Sequence, residues 1–106
     1  MIATLAALLI QDLGVDHEFL YRADRDLKSV AVAGTFNNWD KKANLMARGA
    51  DGRTWTFKRR LQPGKHQYKF VLDDENWVTD PKAQKQEDDG NGNINSILIL
   101  FPSEYL

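Results

Sequence analysis

From residue 17 onward, apolar and polar positions alternate with a period of two, the pattern of strands with one buried face. In residues 17–22, Phe19 and Tyr21 share a face. Residues 29–33 form a short β-branched run stopped by Gly34. In residues 53–61, Trp55, Phe57 and Leu61 fall on one side, with Thr54, Thr56, Lys58 and Arg60 on the other. Residues 65–72 place His66, Tyr68, Phe70 and Leu72 together. Trp77 and Val78 read as a short return strand, and residues 94–101 as a closing apolar strand. Asp51-Gly52, Pro63-Gly64 and the acidic run Asp73-Asp74-Glu75-Asn76 mark turns. Residues 35–44 and 80–93 read as polar loops. About six to eight short strands punctuated this way predict an all-β sandwich. Residues 1–16 stand apart as an N-terminal apolar segment, a helix or an extra strand, with Leu5, Leu8, Leu9 and Leu13 at helical spacing. That segment is expected to dock on its own domain or across a homodimer. Residues 17–106 are expected to form the sandwich.

The 106 residues suit one domain. There is no cysteine, which excludes disulfides, thiolate metal sites and thiol nucleophiles and favours a reducing, cytoplasmic setting. Fourteen basic against fifteen acidic side chains leave a net charge of −1, which argues against a nucleic-acid partner. No apolar run approaches the ~20 residues that span a membrane, and the first ten lack the basic start of a signal peptide.

Catalytic signatures are missing. The two histidines, His17 and His66, each sit inside a strand pattern, and no nucleophile elbow, zinc motif or phosphate loop occurs. The carboxylates of residues 73–75 and 87–89 lie in a turn and a loop, without a cleft to pair them across a glycosidic bond. An enzyme is therefore not expected. Residues 89–93 carry oxygen side chains at alternate positions, as an EF-hand loop begins. Ile94 and Leu100 then stand where that motif needs Gly and Glu, so a plain turn, and no metal or other cofactor, is expected. The basic run Lys58-Arg59-Arg60 splits across both faces of its strand.

Trp55 belongs to a strand core. Trp39 and Trp77 instead sit among Asn, Asp and Lys, where an indole is either buried or a platform flanked by polar groups. A platform of that kind suits a neutral sugar, whose apolar C–H face stacks on a ring while its hydroxyls find amide and ammonium partners.

Four strings now carry a resemblance: Val32-Ala33-Gly34-Thr35-Phe36-Asn37-Asn38-Trp39, Leu61-Gln62-Pro63-Gly64-Lys65-His66-Gln67-Tyr68-Lys69-Phe70, Asn76-Trp77-Val78-Thr79-Asp80-Pro81 and Asn93-Ile94-Asn95-Ser96. In this order and spacing, over about residues 17–101, the chain resembles the family 48 carbohydrate-binding modules, among them the glycogen-binding domains of AMP-activated protein kinase β subunits. Related modules precede the catalytic barrel of glycogen branching and debranching enzymes. The resemblance implies an early-set, immunoglobulin-like β-sandwich that binds α-1,4-glucan polysaccharide or maltooligosaccharide without catalysis. It implies a module that holds a glucan-active enzyme or kinase-type partner on the polymer. By the family's motifs, Trp39 and Trp77 stack on sugars, and Lys69 and Asn95 bond hydroxyls. Asn93 replaces a Thr that does likewise. Asn91 stands where the kinase-type loop has an apolar Leu, and supplies no such contact. The alternative is a protein-interaction or subunit-contact module of the same fold with weak or no sugar binding.

Overall fold

Residues 13–102 are described in the computed structural model. The expected N-terminal helix or strand, and any docking or dimer contact made by it, lie outside the described residues up to residue 12. Eight strands follow: β1 (Val15–Arg22), β2 (Val30–Gly34), β3 (Ala47–Arg48), β4 (Thr54–Leu61), β5 (Gly64–Leu72), β6 (Asn76–Val78), β7 (Lys85–Asp88) and β8 (Ile94–Leu100). One antiparallel sheet has the order β1-β4-β3. The other runs β2-β5-β8-β7, with β6 also paired to β5. This is the predicted all-β sandwich. Strand β1 begins two residues ahead of the expected boundary, because Val15 already pairs with Leu61.

The alternating positions do what their parity predicts. Phe19 on β1 lies opposite Phe57 on β4, and Tyr21 opposite Trp55. On β5, Tyr68, Phe70 and Leu72 point inward with Val30, Val32 and Leu98 from the same sheet. The Phe19 ring meets Tyr68 edge-on at 5.1 Å and stacks on Phe36 at 5.4 Å. The two histidines serve this packing: His17 lies edge-on to Phe19 at 4.7 Å, and His66 Nε2 is 2.7 Å from the Gln62 carbonyl. Burial pulls the His17 pKa below its ordinary value, although the nearby Asp80 carboxylate opposes the shift.

Two strands are not among the expected elements. Strand β7 falls inside the stretch 80–93, and β3 follows the loop that begins at residue 35. Both lie at sheet edges and neither buries an apolar face, so alternation could not reveal them. Strand β7 is instead held by its ladder to β8 and by charge: Lys65 and Lys85 reach Glu87 at 2.6 and 3.2 Å. Those two ammonium groups hold the Glu87 carboxyl below its usual range. Before β7, Asp80 is buried and ties the segment to the core. Its carboxylate accepts from Tyr68 Oη at 2.6 Å and from the Lys82 amide at 2.8 Å, and its own amide donates to Ser96 Oγ at 2.7 Å. Burial and then the Asp80 hydrogen bond drive the Tyr68 phenol far above its ordinary range, so it remains a donor.

Candidate sugar-binding face

The outer face of the second sheet carries the polar members of the alternation. Gln67, Lys69 and Val71 occupy successive outward positions on β5, between the inward Tyr68, Phe70 and Leu72. On β8, the last residue paired with β5 is Ser96, opposite Tyr68. Lys69 and Asn95 are each one step beyond that pair, so both turn outward and lie side by side.

Trp39 reaches this face because of the loop after β2. A Cβ on Gly34 would lie 2.7 Å from the Phe36 ring and 2.9 Å from Tyr68 Cβ, and closer still to the Gln67 carbonyl. Only glycine lets the chain turn down onto β5 there. Asn37 then fastens the turn: its Oδ1 accepts the Gly34 amide at 2.9 Å, and its Nδ2 donates to the Val32 carbonyl at 3.1 Å and to Asn44 Oδ1 at 2.7 Å. Asn38 and Trp39 both adopt φ of 58°, in the left-handed region. For a residue as bulky as Trp this costs of the order of 1–2 kcal/mol. The Trp39 amide donates to the Gly34 carbonyl at 2.9 Å, and the indole packs on a shelf of Ala31, Ala33 and Val71. Half-buried in this way, the ring keeps one side toward solvent.

Trp77 is placed by a tight turn of three residues, Asp73 to Glu75, between the paired Leu72 and Asn76. Asp73 and Asp74 have φ of 52° and 66°, the sign pattern of a type I′ turn, closed by a 3.1 Å bond from the Glu75 amide to the Leu72 carbonyl. This sets Trp77 opposite Val71, on the outer face and 39% exposed. The Asp73 carboxylate accepts the Lys28 amide at 2.6 Å, and that bond, more than any nearby cation, lowers its pKa. Lys41 Nζ donates to the Asp74 carbonyl at 2.6 Å and so braces one tryptophan loop against the other.

The five predicted residues, Trp39, Lys69, Trp77, Asn93 and Asn95, line one open depression of about 510 Å³. Asn91 is not among the lining residues. Asn95 is more deeply set than expected, at 7% exposure, with its Nδ2 donating to Gln67 Oε1 at 3.2 Å. Two further lining residues, Gln67 and Asp89, were missed. Gln67 was available from parity with Lys69. Asp89 had no such signal, because its place depends on loop geometry.

Asp89 organises the loop between β7 and β8. Its Oδ1 accepts the amides of Asn91 and Asn93 at 2.7 and 3.3 Å, and its Oδ2 accepts Asn93 Nδ2 at 3.1 Å. These bonds, the Asn91 amide first, lower its pKa from 3.8. A depressed carboxyl contributes order above its unfolded pKa and loses it as pH falls through the folded value. Its titration, followed through the Asn91 and Asn93 amide resonances, should therefore have its midpoint below 3.8. Movement centred above 3.8 would show that Asp89 does not hold the loop. The oxygen-rich stretch thus serves as a self-bonded turn, and no cluster of three or more metal-ligating side chains occurs among the described residues. The basic run divides as expected: Arg59 leans over the Phe36 ring at 5.3 Å, while Arg60 pairs outward with Asp16 at 3.3 Å.

A sandwich with two indoles and a row of amide and ammonium groups around one outer depression is a ligand-binding β-module. The family described as the glycogen recognition site of AMP-activated protein kinase matches residues 17–105. The chain belongs to that family of carbohydrate-binding modules, which is non-catalytic. It is 33% identical over 78 residues to the 5'-AMP-activated protein kinase subunit beta-2 of Homo sapiens, covering 74% of this chain and 27% of that protein. A similar match, 33% over 73 residues, covers 69% of this chain and 24% of the SNF1-related protein kinase regulatory subunit beta-2 of Arabidopsis thaliana. The chain thus spans about a quarter of the length of these relatives. A maltogenic amylase from S. marinus shares the fold at a TM-score of 0.65 and 17% identity, over 80% of this chain and 13% of that one.

Proposed function

We propose that the domain binds α-1,4-glucans on this face, with Trp39 and Trp77 stacking on pyranose rings and Lys69, Asn93 and Asn95 bonding hydroxyls. The observation that carries the reading is the convergence of Trp39 and Trp77 with Lys69, Asn93 and Asn95 around one depression. Each indole at roughly 2–3 kcal/mol for stacking and covered apolar area and a few net hydrogen bonds at about 1 kcal/mol each, less roughly 2–3 kcal/mol for ordering side chains and ligand, leave about −4 to −7 kcal/mol. That is roughly ten-micromolar to millimolar binding. Weak single sites become effective on a polymer with many chain ends. The domain's job is accordingly to hold an attached glucan-active enzyme or a kinase-type partner on the polysaccharide, without chemistry of its own. A cysteine-free chain of this kind suits the cytoplasm, and no helix among the described residues is long and apolar enough to cross a membrane. No observation favours the subunit-contact alternative.

Tryptophan fluorescence during titration tests the reading. β-Cyclodextrin and maltoheptaose should give saturable changes, and cellohexaose none. Silence with the α-glucans up to several millimolar would overturn it. Lys69 makes no ion pair or side-chain hydrogen bond among the described residues and sits on the outer sheet face. Lys69→Ala should weaken binding roughly tenfold, about 1.4 kcal/mol, and leave thermal unfolding unchanged. Wild-type affinity in this variant would remove Lys69 from the site.

A further inference from the structure

The three amide side chains on this face, Asn93, Asn95 and Gln67, are not equivalent. Asn95 is 7% exposed and its nitrogen points at Gln67 Oε1, 3.2 Å away. Its Oδ1 therefore faces away from Gln67. Asn93 likewise turns its nitrogen toward Asp89 Oδ2 at 3.1 Å. Both asparagines thus commit a nitrogen to the protein. Gln67 is the converse: its oxygen is taken by Asn95, while its Nε2 donates to nothing among the described residues. It lies on the outward row of β5, two positions from Lys69, and it lines the same depression.

A sugar diol needs both kinds of partner, since each hydroxyl gives one hydrogen bond and receives others. With their nitrogens turned to protein groups, Asn93 and Asn95 present carbonyl oxygens as acceptors. Lys69 supplies donors at one end of the row. We propose that Gln67 is a further glucan-contacting residue, whose Nε2 donates to a sugar hydroxyl while its Oε1 holds Asn95 with its own oxygen free to accept from the neighbouring hydroxyl. The proposal rests on the glucan reading above and extends the bonded row from Lys69 to Gln67, a further two residues or about 7 Å along β5. The ligand class this pairing selects is a pyranose with two adjacent free ring hydroxyls, read by a donor and an acceptor held in one hydrogen-bonded unit.

The test uses the whole chain and β-cyclodextrin. Gln67→Met keeps the shape of the side chain and removes both polar atoms. Affinity should fall three- to tenfold, with only a small fall in unfolding temperature from the Asn95 Nδ2 left without its acceptor. In the wild-type complex, the Gln67 Nε2 protons should show intermolecular NOEs to glucose ring protons. A Gln67→Met affinity within twofold of wild type overturns the proposal, as does a complex without those NOEs. So does a loss that Gln67→Glu restores, because a carboxylate still accepts from Asn95 but donates nothing, which would make Gln67 only a positioning residue. A wild-type chain with no saturable binding of β-cyclodextrin overturns the glucan reading itself, an outcome distinct from the others.

Discussion

Trp55→Ala is expected to destabilise the domain by roughly 3–5 kcal/mol, as truncation of a core aromatic does. Trp55 is 4% exposed, on the middle strand of the first sheet, opposite Tyr21. The Arg48 guanidinium lies 4.9 Å from its ring centre and is held there by a hydrogen bond to the Leu27 carbonyl. Truncation would empty the space between Arg48 and the core and leave the cation without its ring. The indole Nε1 is buried without a hydrogen-bond partner, so no hydrogen bond is lost with it. The cost is therefore one of packing, and this separates two variants. Trp55→Phe removes an unsatisfied polar group along with part of the ring, and should cost less than about 1.5 kcal/mol. Urea unfolding followed by circular dichroism measures both. A Trp55→Ala variant within 1 kcal/mol of wild type, against the roughly 3 kcal/mol or more expected, would contradict the facing of β4.

Where a strand buries one face, its parity was legible, and this covers β1, β4 and β5; β2 and β8 were legible as continuous apolar runs, buried along most of their length. Strand β7 was not legible because an edge strand with polar residues on both faces has no period to detect, and β3, of two residues, is too short to show one. The same limit separates the tryptophans. Trp55 sits in an alternating run, which decides its side. Trp39 sits in a loop and Trp77 on a strand of only three residues, too short to show a period, and their direction follows from backbone details. For Trp39 these are the close approach at Gly34 and two left-handed residues. For Trp77 it is a three-residue turn with Asp73 and Asp74 in the left-handed region, which read only as an acidic turn in the sequence. The resemblance to a family, not the pattern, singled out Trp39, Lys69, Trp77, Asn93 and Asn95 together. It was silent on Gln67 and Asp89, whose places depend on hydrogen bonds to those residues. It also did not reveal that Asn95 is nearly buried. Its neighbour Gln67 and the ladder to β7 enclose it, and this turns an apparent surface donor into part of the wall.

Trp77→Ala is expected to have the largest effect on binding with the smallest effect on folding. Trp77 is 39% exposed, on the three-residue strand β6, and the backbone pairing with Val71 does not depend on its side chain. The hairpin that presents it is held by the Asp73 and Lys41 bonds, which the substitution leaves in place. Removing the ring takes away both the stacking and the apolar area that a pyranose would cover, about 2–3 kcal/mol together. That is a loss of roughly thirty- to more than a hundredfold, enough to move an affinity of tens of micromolar into the millimolar range. Trp39→Ala should lose comparable affinity but also some stability, since that indole covers Ala31, Ala33 and Val71. The contrast separates a platform from a packed residue on the same face. Calorimetric titration with β-cyclodextrin and thermal unfolding of both variants would measure it. If Trp77→Ala binds as wild type does, the glucan does not stack on Trp77. If instead it unfolds as easily as Trp55→Ala, the ring belongs to the core and not to the surface.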